Sequence, residues 1–482
     1  MASTRPILLH NTMGRTLQEF EPLAPGVALV YTCGPTVYSY QHIGNFRAFL
    51  FADSLRRVLE YNGYSVRHVR NITDVGHLTE DTLGTGLDKM EAAARRQNMT
   101  PGDIADHFTE IFHQDAERLN VLTPESEPRA TEFIPEMVGL VERLIETGHA
   151  YPGNSGDVYF DVATFPRYGA LSNNTVEDLI AGARVEEYSA DKRSPADFAV
   201  WKSATPDKLM RYESPWGDGV PGWHLECSAM AMNLLGETID IHTGGEDHVF
   251  PHHEDEIAQS EGASGKTFAR FWLHNAFLQG AGGVKMSKSI GNIYTVSDLL
   301  EHGIHPLSYR YFTYQAHYRT PQWFSWEALE GAQTGMYRLW EAAADLTQQA
   351  RPAEQLDEEV ESVRSSFHGA INRDLDLPGA VAVVHTMLAS MLPAEQKLAL
   401  LDDFDRVLAL DLLETARCLT ELREGESQIL EERADARRTK DWGRSDELRA
   451  ALSSRGLDVK DTAHGQRWVR NDVLPRSRGD NA

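Results

Sequence analysis

The chain has 482 residues, 41% of them hydrophobic and 24% charged, enough apolar material for roughly three domains. Its formal net charge of −26 argues against a generally basic nucleic-acid-binding surface. Three widely separated cysteines, Cys33, Cys227 and Cys418, exclude a disulfide framework, and no apolar run is long enough to span a bilayer. The first residues show no basic region followed by an apolar run, so the default expectation is a soluble, cytoplasmic protein with no membrane partner. The charge is uneven. Residues 431–482 hold 12 Lys/Arg against 10 Asp/Glu, a local balance of +2 that leaves −28 on residues 1–430.

In chain order, "GVALVYTC" (26–33) suits a buried strand, "FRAFLFADSLRRVLEYNG" (46–63) repeats apolar residues at helical spacing up to Gly63, and "SVRHVRNITDV" (65–75) is strand-like again. This strand–helix–strand order predicts an α/β fold with a doubly wound parallel sheet, Rossmann-like. Helices follow at about 101–120 and 132–148. "GDVYFDVATF" and "DFAVWK" read as short strands among Gly, Pro and Ser, so 121–205 reads as a connective insertion between 1–120 and 206–278 of one catalytic domain. "GWHLECSAMAMNLLG" (222–236) reads as a helix, "TIDIHTGG" (238–245) as a strand, "PHHEDEIAQSEG" (251–262) as a helix from Pro to Gly, and "FARFWLHNAFL" (268–278) as a strand. Residues 279–324 begin with a Gly-rich loop. The stretch 325–426 is helical throughout and suits a bundle, with a connection near 350–359. Residues 427–482 form a small module of two helices and a hairpin over 457–469.

Four short stretches carry chemistry. In "FPHHEDEIAQ", His252 and Glu256 are an i, i+4 pair on one helix face. Alone, such a pair reads first as part of a solvated acidic face, and His253, Glu254 and Asp255 take that reading. Cys33 ends the first strand and Cys227 lies on a helix of the second half. Residues at the carboxyl ends of doubly wound strands converge on one crevice, so two thiolates, an imidazole and a carboxylate form a candidate set whose soft donors select zinc. Each cysteine alone reads equally well as a small buried hydrophobe. "CGPTVYSYQHIGN" (33–45) joins a strand to a helix whose N–H groups suit an anion. "TGGEDH" (243–248) is either a turn or a nucleoside contact through Asp247. "KMSKS" (285–289) puts Lys285 and Lys288 on a loop that is either solvated or able to close on a polyphosphate.

In this order, "HIGN" followed more than two hundred residues later by "KMSKS" resembles a class I aminoacyl-tRNA synthetase. Together with "PGWHLECSAMAMNLLG", "DIHTGGEDHVFPHHEDEIAQSEG" and "ARRTKDWGRSDELRAALSSRGLDVKDTAHGQRW" (436–468), the chain resembles the cysteinyl-tRNA synthetase family over nearly its whole length. The resemblance implies a ligase that activates L-cysteine with ATP and transfers it to the 3′-terminal adenosine of tRNA(Cys). It implies one zinc ion on Cys33, Cys227, His252 and Glu256, and Mg2+ accompanying ATP. His42, Lys285 and Lys288 would stabilise charge during activation. Gly44, Asn45, Asp247 and Lys288 would border ATP. Gly34, Thr73 and Trp223 would border the cysteine. Arg437, Trp442, Asp446 and Asp461 match anticodon contacts in what would be a C-terminal anticodon-binding module, and the chain is expected to act as a monomer.

Two departures matter. Asn45 stands where the class-wide motif often has a second histidine. After "NITDV", the segment 76–98 is unlike the family's usual Asp/Lys-rich continuation, so no role is carried onto it, and His77 reads as a loop residue. Cysteine and serine differ by S for O, and a nonpolar pocket rejects the rival weakly. A zinc ion that takes the substrate thiolate is the expected discriminator. Three competing readings are a ligase joining cysteine to an amino sugar through the same adenylate, a silent RNA-binding paralogue and a zinc hydrolase. The hydrolase is disfavoured by the missing HExxH pattern.

Overall fold

The computed structural model describes residues 6–75, 89–175, 191–280, 293–349, 358–462 and 465–474. The loop bearing Lys285 and Lys288, His77 and most of the 350–359 connection lie outside them. Four parallel strands form the central sheet in the order β10–β9–β3–β4. β3 (Val27–Thr32) pairs in register with β4 (Ser65–Arg70), Val30 opposite His68, and with β9 (Ile239–Gly245), Val30 opposite Ile241. β10 (Ala269–Asn275) closes the far edge against β9. The run VALVYT suits a central strand because both of its faces are covered. α1 (Ile43–Tyr61) crosses between β3 and β4 and stops before Gly63, whose φ of +87° a side chain would strain.

α2 (Lys89–Gln97) and α3 (Pro101–Arg118) follow, then α4 (Ile134–Glu146). A separate antiparallel sheet comprises β5 (Ala150–Pro152), β6 (Val158–Phe160), β7 (Phe198–Ser203) and β8 (Gly219–Pro221). The chain re-enters the main sheet through α5 (Trp223–Leu234) and β9.

The helix expected over 251–262 is shifted. An irregular turn with a cis Phe250–Pro251 bond occupies 249–253, and α6 runs Glu254–Ser264, ending at Gly265 with φ +68°. Gly262 is therefore helix interior, not its stop. A Cβ there would come within 3.1 Å of the His149 ring and 3.3 Å of Leu144, so this glycine permits close packing of neighbouring elements.

β11 (Leu278–Gln279) pairs with β12 (Gln322–Trp323), with α7 (Val296–Glu301) and α8 (Pro306–Thr313) between them. The helical region comprises α9 (Trp326–Thr347), α10 (Glu358–Ile371), α11 (Leu377–Ala389), α12 (Ala394–Leu408) and α13 (Leu412–Thr420). The N-terminal hairpin β1 (Leu8–Asn11) and β2 (Thr16–Glu19) is stitched to the segment after α10. The Leu8 N–H donates to Asn372 O at 2.8 Å, the Asp374 N–H returns to Leu8 O at 2.8 Å, and the His10 N–H donates to Asp374 Oδ1 at 2.8 Å. α14 (Glu426–Arg438), α15 (Trp442–Ser453) and the hairpin β13 (Leu457–Thr462) and β14 (Gly465–Arg470) enclose a small core of Leu430, Leu452 and Leu457. Among the described residues, no helix is long and apolar enough to cross a membrane.

Candidate active site and metal cage

A cleft of about 250 Å³ opens at the carboxyl ends of the parallel strands. Cys33 and Gly34 come from the end of β3, His42, Gly44 and Asn45 from the start of α1, and Thr73 from beyond β4. Trp223 and Cys227 come from α5, and Asp247 and His252 from the turns after β9. Gly34 is required by close approach, because a Cβ there would fall on the Asn71 carbonyl. Its N–H donates to Asn71 Oδ1 at 2.8 Å, and the Asn71 amide donates to Thr73 Oγ1 at 2.9 Å. That orders the two sides of the cleft.

His42 and Asn45 form a reciprocal capping box on α1. The Asn45 N–H donates to His42 Nδ1 at 3.2 Å, and the His42 N–H donates to Asn45 Oδ1 at 3.1 Å. Asn45 thus has a structural use where the class motif often carries histidine. A Cβ on Gly44 would meet the His42 ring at 2.9 Å.

Beneath the cleft lies a buried cage. Cys33, His252, His253 and Glu256 bring four ligand atoms within 4.8 Å of one another, and all four residues are buried. Cys227 is absent from that tightest set; it is buried beside it, with its thiol 3.8 Å from Asn71 Oδ1 and electrostatically linked to Cys33 and His252. The solvated reading of His253, Glu254 and Asp255 is overturned, since none is more than 2% exposed. Helix periodicity failed here because α6 is packed on every side, so a polar face has no water to face. Glu254 accepts from the Ser172 N–H at 2.9 Å, and Asp255 accepts from the Tyr168 hydroxyl at 2.5 Å.

The electrostatics are those of a cation site. Burial pulls the His252 imidazole down, but Glu256 and Cys227 outweigh it and raise it to about 10. Burial pushes Glu256 up, but His242 and His252 bring it down to about 2. A hydrogen bond from Cys33 lowers Cys227 to about 6, while burial keeps the Cys33 thiol well above its usual range. A carboxylate and an acidic thiol enclosed together need a positive charge, and the His252 proton supplies one that a metal ion could replace. Two sulfurs, an imidazole and a carboxylate fit zinc. Proton release on loading is expected of such a site.

Two histidines not singled out in the sequence, His242 and His274, surround the cage together with His253. His242 Nε2 is 2.8 Å from Glu256 Oε2. His253 Nε2 is 3.2 Å from Cys33 Sγ, its Nδ1 is 2.8 Å from His274 Nε2, and His274 Nδ1 is 2.8 Å from Thr12 Oγ1. His242 and His274 each lie alone in a strand, where a core histidine is the ordinary reading. The only signal was their concentration between residues 224 and 274.

In the C-terminal module, the Arg437 guanidinium sits 5.4 Å from the centroid of the Trp442 ring, which is 55% exposed. Asp446 is exposed. Asp461 is held by Arg433 at 2.9 Å and Arg437 at 3.0 Å, which lower its pKa.

A parallel sheet with a nucleotide-type cleft at its carboxyl edge, an HIGN-capped helix and a trailing helical region define a class I aminoacyl-tRNA synthetase. The chain is similar in fold to a Mycobacterium tuberculosis methionyl-tRNA synthetase bound by methionyl-adenylate. That match has a TM-score of 0.55 and 15% identity, covering 81% of this chain and 90% of the other. Residues 19–334 match the family described as the tRNA synthetases class I (C) catalytic domain, and residues 419–468 match the cysteinyl-tRNA ligase anticodon binding domain. The cysteine–tRNA ligase of Chlorobaculum tepidum is 42% identical over 96% of this chain and 98% of its own length. That of a Thermus thermophilus strain is also 42% identical, over 96% of this chain and 99% of its own length. The chain belongs to the cysteine–tRNA ligase family, and it is a ligase.

Proposed function

We propose that the protein activates L-cysteine with ATP, accompanied by Mg2+, and transfers it to the 3′-terminal adenosine of tRNA(Cys), acting as a monomer in the cytoplasm. The observation that carries this reading is the convergence of the α1 cap, Asp247 and the two-thiol cage on one cleft. ATP lies against Gly44 and Asn45 at the start of α1, where backbone N–H groups favour phosphate. Asp247 receives ribose hydroxyls. Lys285 and Lys288 close on the phosphates, and with His42 they offset charge growing on oxygen as the carboxylate attacks the α-phosphorus. Gly34, Thr73 and Trp223 border the amino acid. The Trp223 and His252 ring centroids are 4.2 Å apart, so the indole packs against the cage from the cleft side.

Cys33, Cys227, His252 and Glu256 would hold a zinc ion, with His253 Nε2 lying 3.2 Å from the Cys33 sulfur beside them. When bound, zinc supplies a site that takes a thiolate far better than a neutral hydroxyl. Glu256 is the hardest of the four donors and would hold the ion least firmly. Its second oxygen already has His242 as an alternative partner at 2.8 Å. Arg437, Trp442, Asp446 and Asp461 belong to the surface that meets the anticodon, with Trp442 offering a stacking face.

Cysteine-dependent exchange of pyrophosphate into ATP, followed by charging of tRNA(Cys), tests the reading. Both are expected. Absence of exchange would refute activation. Exchange without charging would favour the amino-sugar ligase, a reading that leaves the anticodon-domain match at 419–468 without a use.

A further inference from the structure

His252 is tied to the antiparallel sheet domain by a relay of two hydrogen bonds joined by one ion-pair contact between Asp255 and His224. The Tyr168 hydroxyl meets Asp255 Oδ1 at 2.5 Å, Asp255 Oδ2 meets His224 Nε2 at 3.2 Å, and His224 Nδ1 meets His252 Nδ1 at 2.7 Å. The other nitrogen of His252, Nε2, faces Glu256 Oε1 at 3.0 Å inside the cage. Tyr168 and Asp255 are buried, and the His224 side chain is only 15% exposed. Tyr168 is held by the Phe198 ring, 6.1 Å away and nearly parallel.

Two imidazole nitrogens 2.7 Å apart must divide one donor and one acceptor between them. If His224 donated to His252, the His252 proton would move to Nε2 and point into the cage, where it could not ligate. The other arrangement runs in one direction. The Tyr168 O–H donates to Asp255, the protonated Nε2 of His224 faces the Asp255 carboxylate, and the His252 Nδ1–H donates to His224 Nδ1. That leaves the Nε2 lone pair of His252 aimed at the cage.

We propose that Tyr168, Asp255 and His224 are positioning residues that fix the tautomer and ring orientation of His252 for metal binding, so that the antiparallel sheet domain sets the affinity of the cage. The proposal rests on the zinc reading above. It assigns a use to Asp255, which lies on α6 but off the His252–Glu256 face.

Zinc affinity of the full-length protein, measured by competition with a chromophoric chelator, tests it, with metal content by mass spectrometry as the reference. Asp255→Ala is expected to weaken zinc binding by about 10- to 100-fold, the usual effect of losing a hydrogen-bond partner of a ligand. Asp255→Asn should stay within about threefold, because the amide can turn its oxygen to His224 and donate its N–H to the Tyr168 oxygen. Tyr168→Phe should fall between them. If Asp255→Ala does not fold, judged by near-UV circular dichroism, His224→Phe removes the acceptor for His252 and should show the same loss. The visible spectrum of the Co2+-loaded protein should change in Asp255→Ala and return in Asp255→Asn, a rescue that a merely structural role would not give. Wild-type zinc affinity in Asp255→Ala or His224→Phe, or an Asp255→Asn loss equal to that of Asp255→Ala, would overturn the proposal. A wild-type protein that binds no zinc would instead overturn the metal reading beneath it.

Discussion

Replacing Arg310 with methionine should be among the most damaging single changes outside the cleft. Arg310 on α8 is wholly buried and joins three regions. Its Nη2 is ion-paired with Asp53 of α1, its Nη1 donates to Leu119 O at 2.9 Å and Asn120 O at 3.1 Å after α3, and its Nε donates to Leu408 O at 2.9 Å at the end of α12. Methionine fills much of the volume and satisfies none of these acceptors. Several have a second donor. Arg57 stays 2.8 Å from Asp53, the Leu122 N–H donates to Asp53 at 2.8 Å, Arg57 also reaches Asn120 O at 2.8 Å, and the Tyr314 hydroxyl covers Leu408 O at 3.0 Å. Breaking a buried pair costs about 3–5 kcal/mol, here toward the lower end, and losing Arg310 as the donor to Leu119 O adds about 1–3 kcal/mol. The expected loss is about 4–6 kcal/mol. Urea unfolding followed by tryptophan fluorescence should show the first transition falling by more than about 1 M. Asp53→Asn in the Arg310→Met background should restore part of the loss by removing the less compensated charge. A single-variant loss under about 1 kcal/mol, or no recovery in the double variant, would refute the view that this guanidinium holds the junction.

Asp405 accepts from the Leu410 and Leu412 N–H groups at 2.8 Å each, and burial followed by nearby Asp411 raises it to about 6. A raised carboxyl contributes most below its unfolded value near pH 4 and loses that contribution as pH climbs through about 6. Thermal stability should therefore gain from this group as pH falls from about 6.5 to about 4, and Asp405→Asn should flatten that slope while losing one backbone hydrogen bond. Gly34→Ala should abolish cysteine-dependent pyrophosphate exchange, because its methyl would fall on the Asn71 carbonyl. Exchange above a tenth of wild type would show that the strand end can yield. Trp442→Ala should raise the KM for tRNA about 10-fold, matching about 1–3 kcal/mol for a lost stack, with pyrophosphate exchange unchanged. An equal drop in both assays would place Trp442 outside tRNA contact.

The parallel sheet and its order of elements were legible because β3 is a nearly continuous apolar run, β9 runs into a Gly-Gly turn, and α1 keeps helical spacing. The cage was legible in part. His252 and Glu256 share a helix stripe, and the two cysteines sit where strand topology gathers residues. What periodicity could not show was depth. A helix buried on all sides carries its polar residues inward, so Glu254 and Asp255 were read as solvated although each has a partner across the domain. His253 was misread as solvated with them, and His242 and His274 escaped for a related reason, because their partners lie on other strands and turns and no local spacing marks them. Gly262 was taken for a stop because the packing of His149 and Leu144 against it is a tertiary fact.

The stitching of β1 to the segment after α10 has a consequence in time. His10 and Asp374 are 364 positions apart, and the ribosome delivers the first long before the second. At about 5–20 residues per second, the N-terminal hairpin waits roughly 20–70 s for its partner to emerge. Thr12, which meets His274 beside the cage, finds its partner about a hundred residues earlier. The catalytic half of the molecule is thus finished only after most of the chain has been made, and a nascent chain stalled before Asp374 would expose the edge of β1 to its neighbours.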